Sequence, residues 1–213
     1  MKYLEYLNEN WYHGSYDNRE IEKNKKFSKK SITVDYINDL QGYYSLQSKL
    51  KDYRENDMDL YHKALDEMGN FKDEYTYPKP LFVTDKLSVA RTYADGRRAF
   101  DYQNSIPHVY EVDVNCDKKV EINAYGDRFR FIKVEQVRDG FIRAGIKEEE
   151  IDKAISMFNY YTTKGIKTDL IAAIGNWFEF DCIDVKGVLD SYHGGSIKST
   201  VRMILNPENV NIK

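Results

Sequence analysis

Two kinds of hydrophobic pattern alternate along this chain, and their order restricts its fold more than any other feature. Over 36–68 the apolar residues Tyr43, Leu46, Leu50 and Tyr53, then Leu60, Ala64, Leu65 and Met68, recur at the spacing of two amphipathic helices. Helical spacing returns over 134–178, through Val137 and Phe141, then Ile151, Ile155 and Phe158, then Leu170, Ile171 and Ile174. Strand-like runs surround these blocks. Leu81 to Thr84 follows a loop over 70–80 marked by Pro78 and Pro80, and Val109 to Val114 alternates, with Tyr110, Val112 and Val114 on one face. Lys119 to Ile122, Cys182 to Lys186 and Thr200 to Leu205 are further strand candidates, and an early strand leads into Tyr12. Asp85 is placed to cap a helix running to Tyr93, and the block over 134–178 reads as a helical insertion.

A chain of 213 residues buries one substantial core, which favours a single domain over 1–213. With 41% hydrophobic and 31% charged residues it has the composition of a globular protein rather than a disordered one. The net charge of −3 offers no global attraction for nucleic acid. Locally, Lys23, Lys25, Lys26, Lys29 and Lys30 crowd one segment, which reads as a solvated loop, with a contact surface for a phosphate-bearing target as the alternative. Cys116 and Cys182 lack metal-ligand spacing and the density of a secreted scaffold, so both are expected as reduced, buried thiols. No run approaches the roughly 18–20 apolar residues of a membrane helix, and no signal-peptide pattern opens the chain, so a cytoplasmic location is expected. His62 and His108 have no partner at ligand spacing, and no metal is expected.

Three short motifs carry the chemistry. Tyr12-His13-Gly14-Ser15 ends the early strand, Leu81-Phe82-Val83-Thr84-Asp85 precedes a helix bearing Tyr93, and Ser199-Thr200-Val201-Arg202-Met203-Ile204-Leu205 runs into Asn206-Pro207. In this order and spacing they resemble the ADP-ribosyltransferase superfamily, in its diphtheria-toxin and poly(ADP-ribose)-polymerase-like branch, closest to bacterial and phage members. The resemblance spans both ends of the chain and leaves 20–75 and 128–178 without a counterpart. It implies an α+β fold with an ADP-ribosyltransferase-like split, mostly antiparallel β core around an NAD cleft, decorated by the helical segments at 36–68 and 134–178.

The resemblance also implies roles. Phe82 and Tyr93 are eleven positions apart, as are the two aromatic residues that sandwich the nicotinamide ring in that family. A planar cation between two aromatic faces gains roughly 0.5–2 kcal/mol per ring. Phe82 stands where Tyr is usual, which keeps the stacking and removes a hydroxyl. His13 is implied to bond a ribose hydroxyl of NAD, the Gly14 backbone to receive the carboxamide, and Ser15 to touch a ribose or phosphate oxygen. Thr84, Ala90 and Val201 complete the implied cofactor-binding set, with His13 and Tyr93 as the catalytic pair. Each has a plainer alternative: a structural turn histidine for His13 and an inner-face core aromatic for Tyr93.

Val201 falls where the best-known enzymes of the branch carry a glutamate that stabilises an oxocarbenium-like transition state. Glu111, Glu121 and Glu208 are other carboxylate donors, and Ser199 or Thr200 could supply a hydroxyl. The implied activity is mono-ADP-ribosylation of a macromolecular acceptor with release of nicotinamide, polymer formation being disfavoured without the glutamate. A protein acceptor ranks ahead of RNA or DNA, and a bacterial or phage effector or toxin is the implied setting. The alternatives are a catalytically inactive NAD-binding or interaction module and an RNA 2′-phosphotransferase, which needs basic residues that His13-Gly14-Ser15 lacks nearby. His193-Gly194-Gly195 reads as a hairpin turn, or as a loop approaching the acceptor through His193 and Ser196.

Overall fold

A computed structural model of the chain describes residues 10–15, 21, 27, 30–95, 108–158, 168–192, 195–207 and 210–213. Nine strands are described: β1 (Trp11–Ser15), β2 (Ser31–Ile37), β3 (Lys72–Pro78), β4 (Leu81–Thr84), β5 (His108–Val114), β6 (Lys119–Asn123), β7 (Cys182–Tyr192), β8 (Gly195–Ile204) and β9 (Val210–Ile212). Seven of them form one sheet in the order β6-β7-β8-β4-β1-β5-β9, antiparallel throughout except where β6 meets β7. The protein is therefore a mixed α+β fold with a mixed sheet.

The centre of that sheet is its weakest seam. β4 meets β8 through four residue pairs and β1 meets β5 through five, but β1 meets β4 only at Tyr12↔Thr84. Two half-sheets, β6-β7-β8-β4 and β1-β5-β9, thus join at one pair. Beyond it the His13 ring spans the seam, its Nδ1–H donating to the Phe82 carbonyl at 2.9 Å in place of a main-chain bond. β7 carries a second irregularity. Val185 pairs with Val201 but the next pair is Val188↔Ser199, so an extra residue bulges β7 at Gly187, whose φ is +70°.

Six α-helices are described: α1 (Leu40–Asn56), α2 (Met58–Gly69), α3 (Leu87–Ala94), α4 (Val134–Arg143), α5 (Glu148–Phe158) and α6 (Thr168–Trp177). The first helical block starts later than its periodicity suggests. The Asp39 carboxylate caps α1 by accepting from the Gly42 N–H, and 31–37 pairs along its whole length with Lys72–Pro78 as a separate two-stranded sheet. The loop expected over 70–80 is therefore largely strand β3, and Tyr36 belongs to β2 rather than to a helix. The α1–α2 pair fills the span between these two strands, each of which packs rings against Phe158 and Trp177.

The second helical block is not a decoration. Val137, Phe141, Ile151, Phe158, Ile171 and Ile174 are buried in one cluster with Val120, Ile122, Ile183, Val185, Val201 and Met203 of the sheet. At roughly 1.5–3 kcal/mol per fully buried large side chain, this helical layer supplies much of the stability of β6-β7-β8. Two further expectations are corrected. Asp85 does not cap α3, which follows Lys86; its carboxylate accepts instead from the Thr200 N–H at 2.8 Å. The cysteines are not reduced thiols. The turn from β5 into β6 brings Cys116 beside Cys182, with Cα atoms 5.8 Å apart, and the two form a disulfide. Among the described residues no helix is long and apolar enough to cross a membrane.

Candidate functional site

The motif residues fall on adjacent elements around the seam but on two faces: Gly14 shares the face of Phe82, Thr84 and Val201, while His13 alternates to the face of Trp11 and packs on Phe27. β1 carries His13, Gly14 and Ser15, β4 carries Phe82 and Thr84, β8 carries Val201, and α3, which follows β4, carries Ala90 and Tyr93. Gly14 and Ala90 meet directly. A Cβ on Gly14 would lie 1.9 Å from the Ala90 carbonyl oxygen and 2.9 Å from the Ala94 nitrogen. The glycine and the small helical residues facing it let α3 lie against β1, so the space that glycine opens on this side is filled by helix.

His13 is held by burial and by one bond. It packs edge-on against Phe27, with centroids 5.0 Å apart, and burial pushes its pKa below the ordinary 6.5, against a smaller opposing effect of the bond to Phe82. The ring is thus neutral at pH 7. With the proton on Nδ1 committed to the Phe82 carbonyl, Nε2 keeps a lone pair, and it has no hydrogen-bond partner among the described residues. That nitrogen is an acceptor suited to a ligand hydroxyl. Ser15, at the end of β1, is half-buried.

A second group lies along β8. The Tyr93 hydroxyl donates to Asp190 Oδ1 at 3.1 Å, and the buried Ser199 hydroxyl donates to Asp190 Oδ2 at 2.6 Å. Tyr93 remains 58% exposed. Thr84 and Val201 are paired neighbours, Val201 two residues along β8 from Ser199, and both are buried. Thr84 has a structural duty as well, its hydroxyl accepting from the Lys86 N–H at 3.3 Å where the chain turns into α3. Phe82 sits on the same face as Thr84 with its ring edge-on to Phe129, centroids 6.0 Å apart. Phe82 and Tyr93 therefore have separate partners, one in Phe129 and one in Asp190.

Asp190 was not among the sequence candidates, and the bulge explains why. Counting alternate residues from Val185 puts Asp190 on the opposite face; the extra residue at Gly187 reverses the count and turns it toward Ser199. The carboxylates that were candidates have other partners. Glu111 bonds Lys213 at 3.1 Å, and Glu121 bonds Lys186 at 2.7 Å, the Lys186 ammonium holding its carboxyl below the usual range. Glu208, His193, Gly194 and the lysines 23, 25, 26 and 29 lie outside the described residues.

The other face of the sheet holds a cavity of about 340 Å³ lined in part by Trp11, Lys119, Glu121, Asp184 and Lys186. Its charges face one another. Arg202 bonds Asp184 at 2.5 and 2.7 Å beneath the Trp11 ring, and Lys119 lies 3.5 Å from Glu121. Among the described residues no group of three or more His, Cys, Asp or Glu side chains is placed to hold a metal. No known family, curated protein or solved structure matches the chain.

Proposed function

We propose that this protein is a mono-ADP-ribosyltransferase that moves ADP-ribose from NAD to a macromolecular acceptor. The observation that carries the proposal is the Tyr93–Asp190–Ser199 network beside the seam that His13 spans. It joins an exposed ring able to stack on nicotinamide to a carboxylate, in a site where Val201 supplies none. NAD brings a positively charged nicotinamide leaving group, which departs with the electron pair of its bond to the ribose carbon and leaves that carbon to the acceptor nucleophile.

The side chains have complementary tasks. Neutral His13 accepts a ribose hydroxyl at Nε2 and fixes the orientation of the donor. Tyr93 and Phe82 offer aromatic faces to the nicotinamide. Asp190 places negative charge where positive charge develops as the bond breaks, and Ser199 with the Tyr93 hydroxyl holds the carboxylate in position. Gly14, Thr84 and Ala90 shape the junction of β1, β4 and α3 on which these groups stand.

The alternative, an inactive NAD-binding module, is supported by the apolar, buried Val201. Nicotinamide release from NAD, with and without cell lysate, separates the two. The expected result is lysate-dependent release with a labelled acceptor, abolished in His13→Ala and reduced roughly 10²- to 10³-fold in Asp190→Asn, the scale of losing one transition-state stabilising group. Saturable NAD binding with no release would leave the binding module.

A further inference from the structure

The loop that follows β6 presents an unusual surface beside this site. Tyr125 is 79% exposed and adopts a left-handed backbone, with φ at +51°. A non-glycine residue accepts that conformation only when its surroundings hold it there. Here they do: Gly126 N–H donates to the Gly187 carbonyl, Leu189 N–H to Asp127 and Ala124 N–H to Lys186, all within 2.8–3.0 Å. The loop is pinned to the β7 bulge while its largest apolar side chain points away from the protein. A helical turn follows, where Phe131 is 50% exposed and the Arg130 guanidinium lies 4.7 Å from its ring centroid.

Charge reinforces the pattern. Residues 125–133 hold Arg128, Arg130 and Lys133 against one carboxylate, Asp127, and Lys198 of β8 lies beside Gly126. These four cations are exposed, and none forms an ion pair with another described residue. On a chain of net charge −3 the patch is a local inversion of sign. It also adjoins the candidate site, because Phe129 packs on Phe82 and Leu189, bonded to Asp127, precedes Asp190.

We infer that this loop is a docking surface for single-stranded nucleic acid. Flat, outward-facing rings interleaved with guanidinium groups stack on unpaired bases while the cations track phosphates. A duplex hides its base faces, and a neutral protein surface leaves the cations without counter-charges. That the bound strand is the acceptor of ADP-ribose rests on the transferase proposal; the binding itself does not.

Fluorescence anisotropy of the full chain with labelled 12-nucleotide oligo-dT and oligo-U tests it, with duplex DNA and a polyglutamate peptide as competitors. Tyr125→Asn is the informative variant, since asparagine tolerates the left-handed backbone and removes only the ring. Binding to the single strands is expected to weaken roughly 5- to 150-fold, the range of one lost base stack. The slope of log affinity against log salt should be about −2 to −3 and fall by about 0.7 in Arg130→Gln. Absence of oligonucleotide binding at low salt, or binding unchanged by Tyr125→Asn, overturns the inference, as does stronger competition by polyglutamate than by unlabelled single strand. Single-strand binding without nicotinamide release would sink the transferase and leave the surface standing. Release without single-strand binding would do the reverse.

Discussion

Gly14 has a structural duty that its motif does not suggest. Its expected duty is close approach of a ligand to the main chain; its visible duty is close approach of α3, whose Ala90 carbonyl occupies the position a Cβ would need. Gly14→Ala should therefore destabilise the NAD-free protein by about 1–3 kcal/mol, the usual cost of overpacking, read as a lower urea midpoint at unchanged slope. A variant of full stability that has lost only NAD affinity would return the residue to the ligand. His13 gives a pH signature. Its folded pKa lies below 6.5, so as pH falls through 6.5 the unfolded chain takes up a proton that the folded chain still refuses. Stability should be level above that pH and decline below it until the folded pKa is reached. His13→Asn, which keeps a donor near the Nδ1 position for the Phe82 carbonyl, should flatten the decline. The sequence made His13 and Gly14 visible because motif order survives in one dimension. It could not show the Phe82 bond or the Ala90 contact, which depend on how β1, β4 and α3 come together.

At the scale of elements, legibility followed the period of burial. α1, α2 and the three helices of 134–178 were readable because each buries one stripe against a neighbour. β2 and β3 were missed although Ile32, Val34 and Tyr36 alternate with Thr33 and Asp35, because Tyr36 also fits the helical count of the next segment and Pro78 signals a loop. Pairing over seven residues, a non-local fact, decided the outcome. The cysteines failed for the same reason. They are 66 residues apart, and only the turn between β5 and the parallel β6/β7 pair brings them together. A cross-link closing a loop of that length is worth up to about 4 kcal/mol through the entropy it removes from the unfolded chain. Reduction, or Cys116→Ala, should lower the unfolding free energy by up to that amount, measured by urea denaturation with and without reductant. Cys116 is the better position to change, since Cys182 is fully buried between β6 and β8 and its replacement would also disturb packing. A midpoint indifferent to reductant would mean that the two sulfurs are not joined in solution.

The whole molecule is organised around a discontinuity. A four-strand and a three-strand half-sheet meet at Tyr12↔Thr84, the helical layer of α4, α5 and α6 packs against β6, β7 and β8, and a smaller cluster joins Trp11, Tyr110 and Val112 of the three-strand half to Val83, Cys182 and Ile204 of the other. α3, the His13 bond and the Arg202 guanidinium over the Trp11 ring also tie the halves together. A ligand held by His13 on one half and by Phe82, Tyr93 and Asp190 on the other would add contacts across the least paired seam in the sheet. At a hundred times its dissociation constant, binding to the folded state alone contributes about 2.7 kcal/mol. For a chain of this size that is a rise in Tm of roughly 5–10 °C. NAD should produce such a shift in the wild type and little or none in His13→Ala or Tyr93→Ala. The seam itself gives the sharper test. If NAD spans it, amides of β1 and β4 near Tyr12 and Thr84 should gain hydrogen-exchange protection on NAD addition, while those of β2 and β3, in a separate two-stranded sheet, should not. Protection spread evenly over the sheet would reflect global stabilisation only, and protection confined to β5 and β9 would place the ligand away from the junction that the three motifs share.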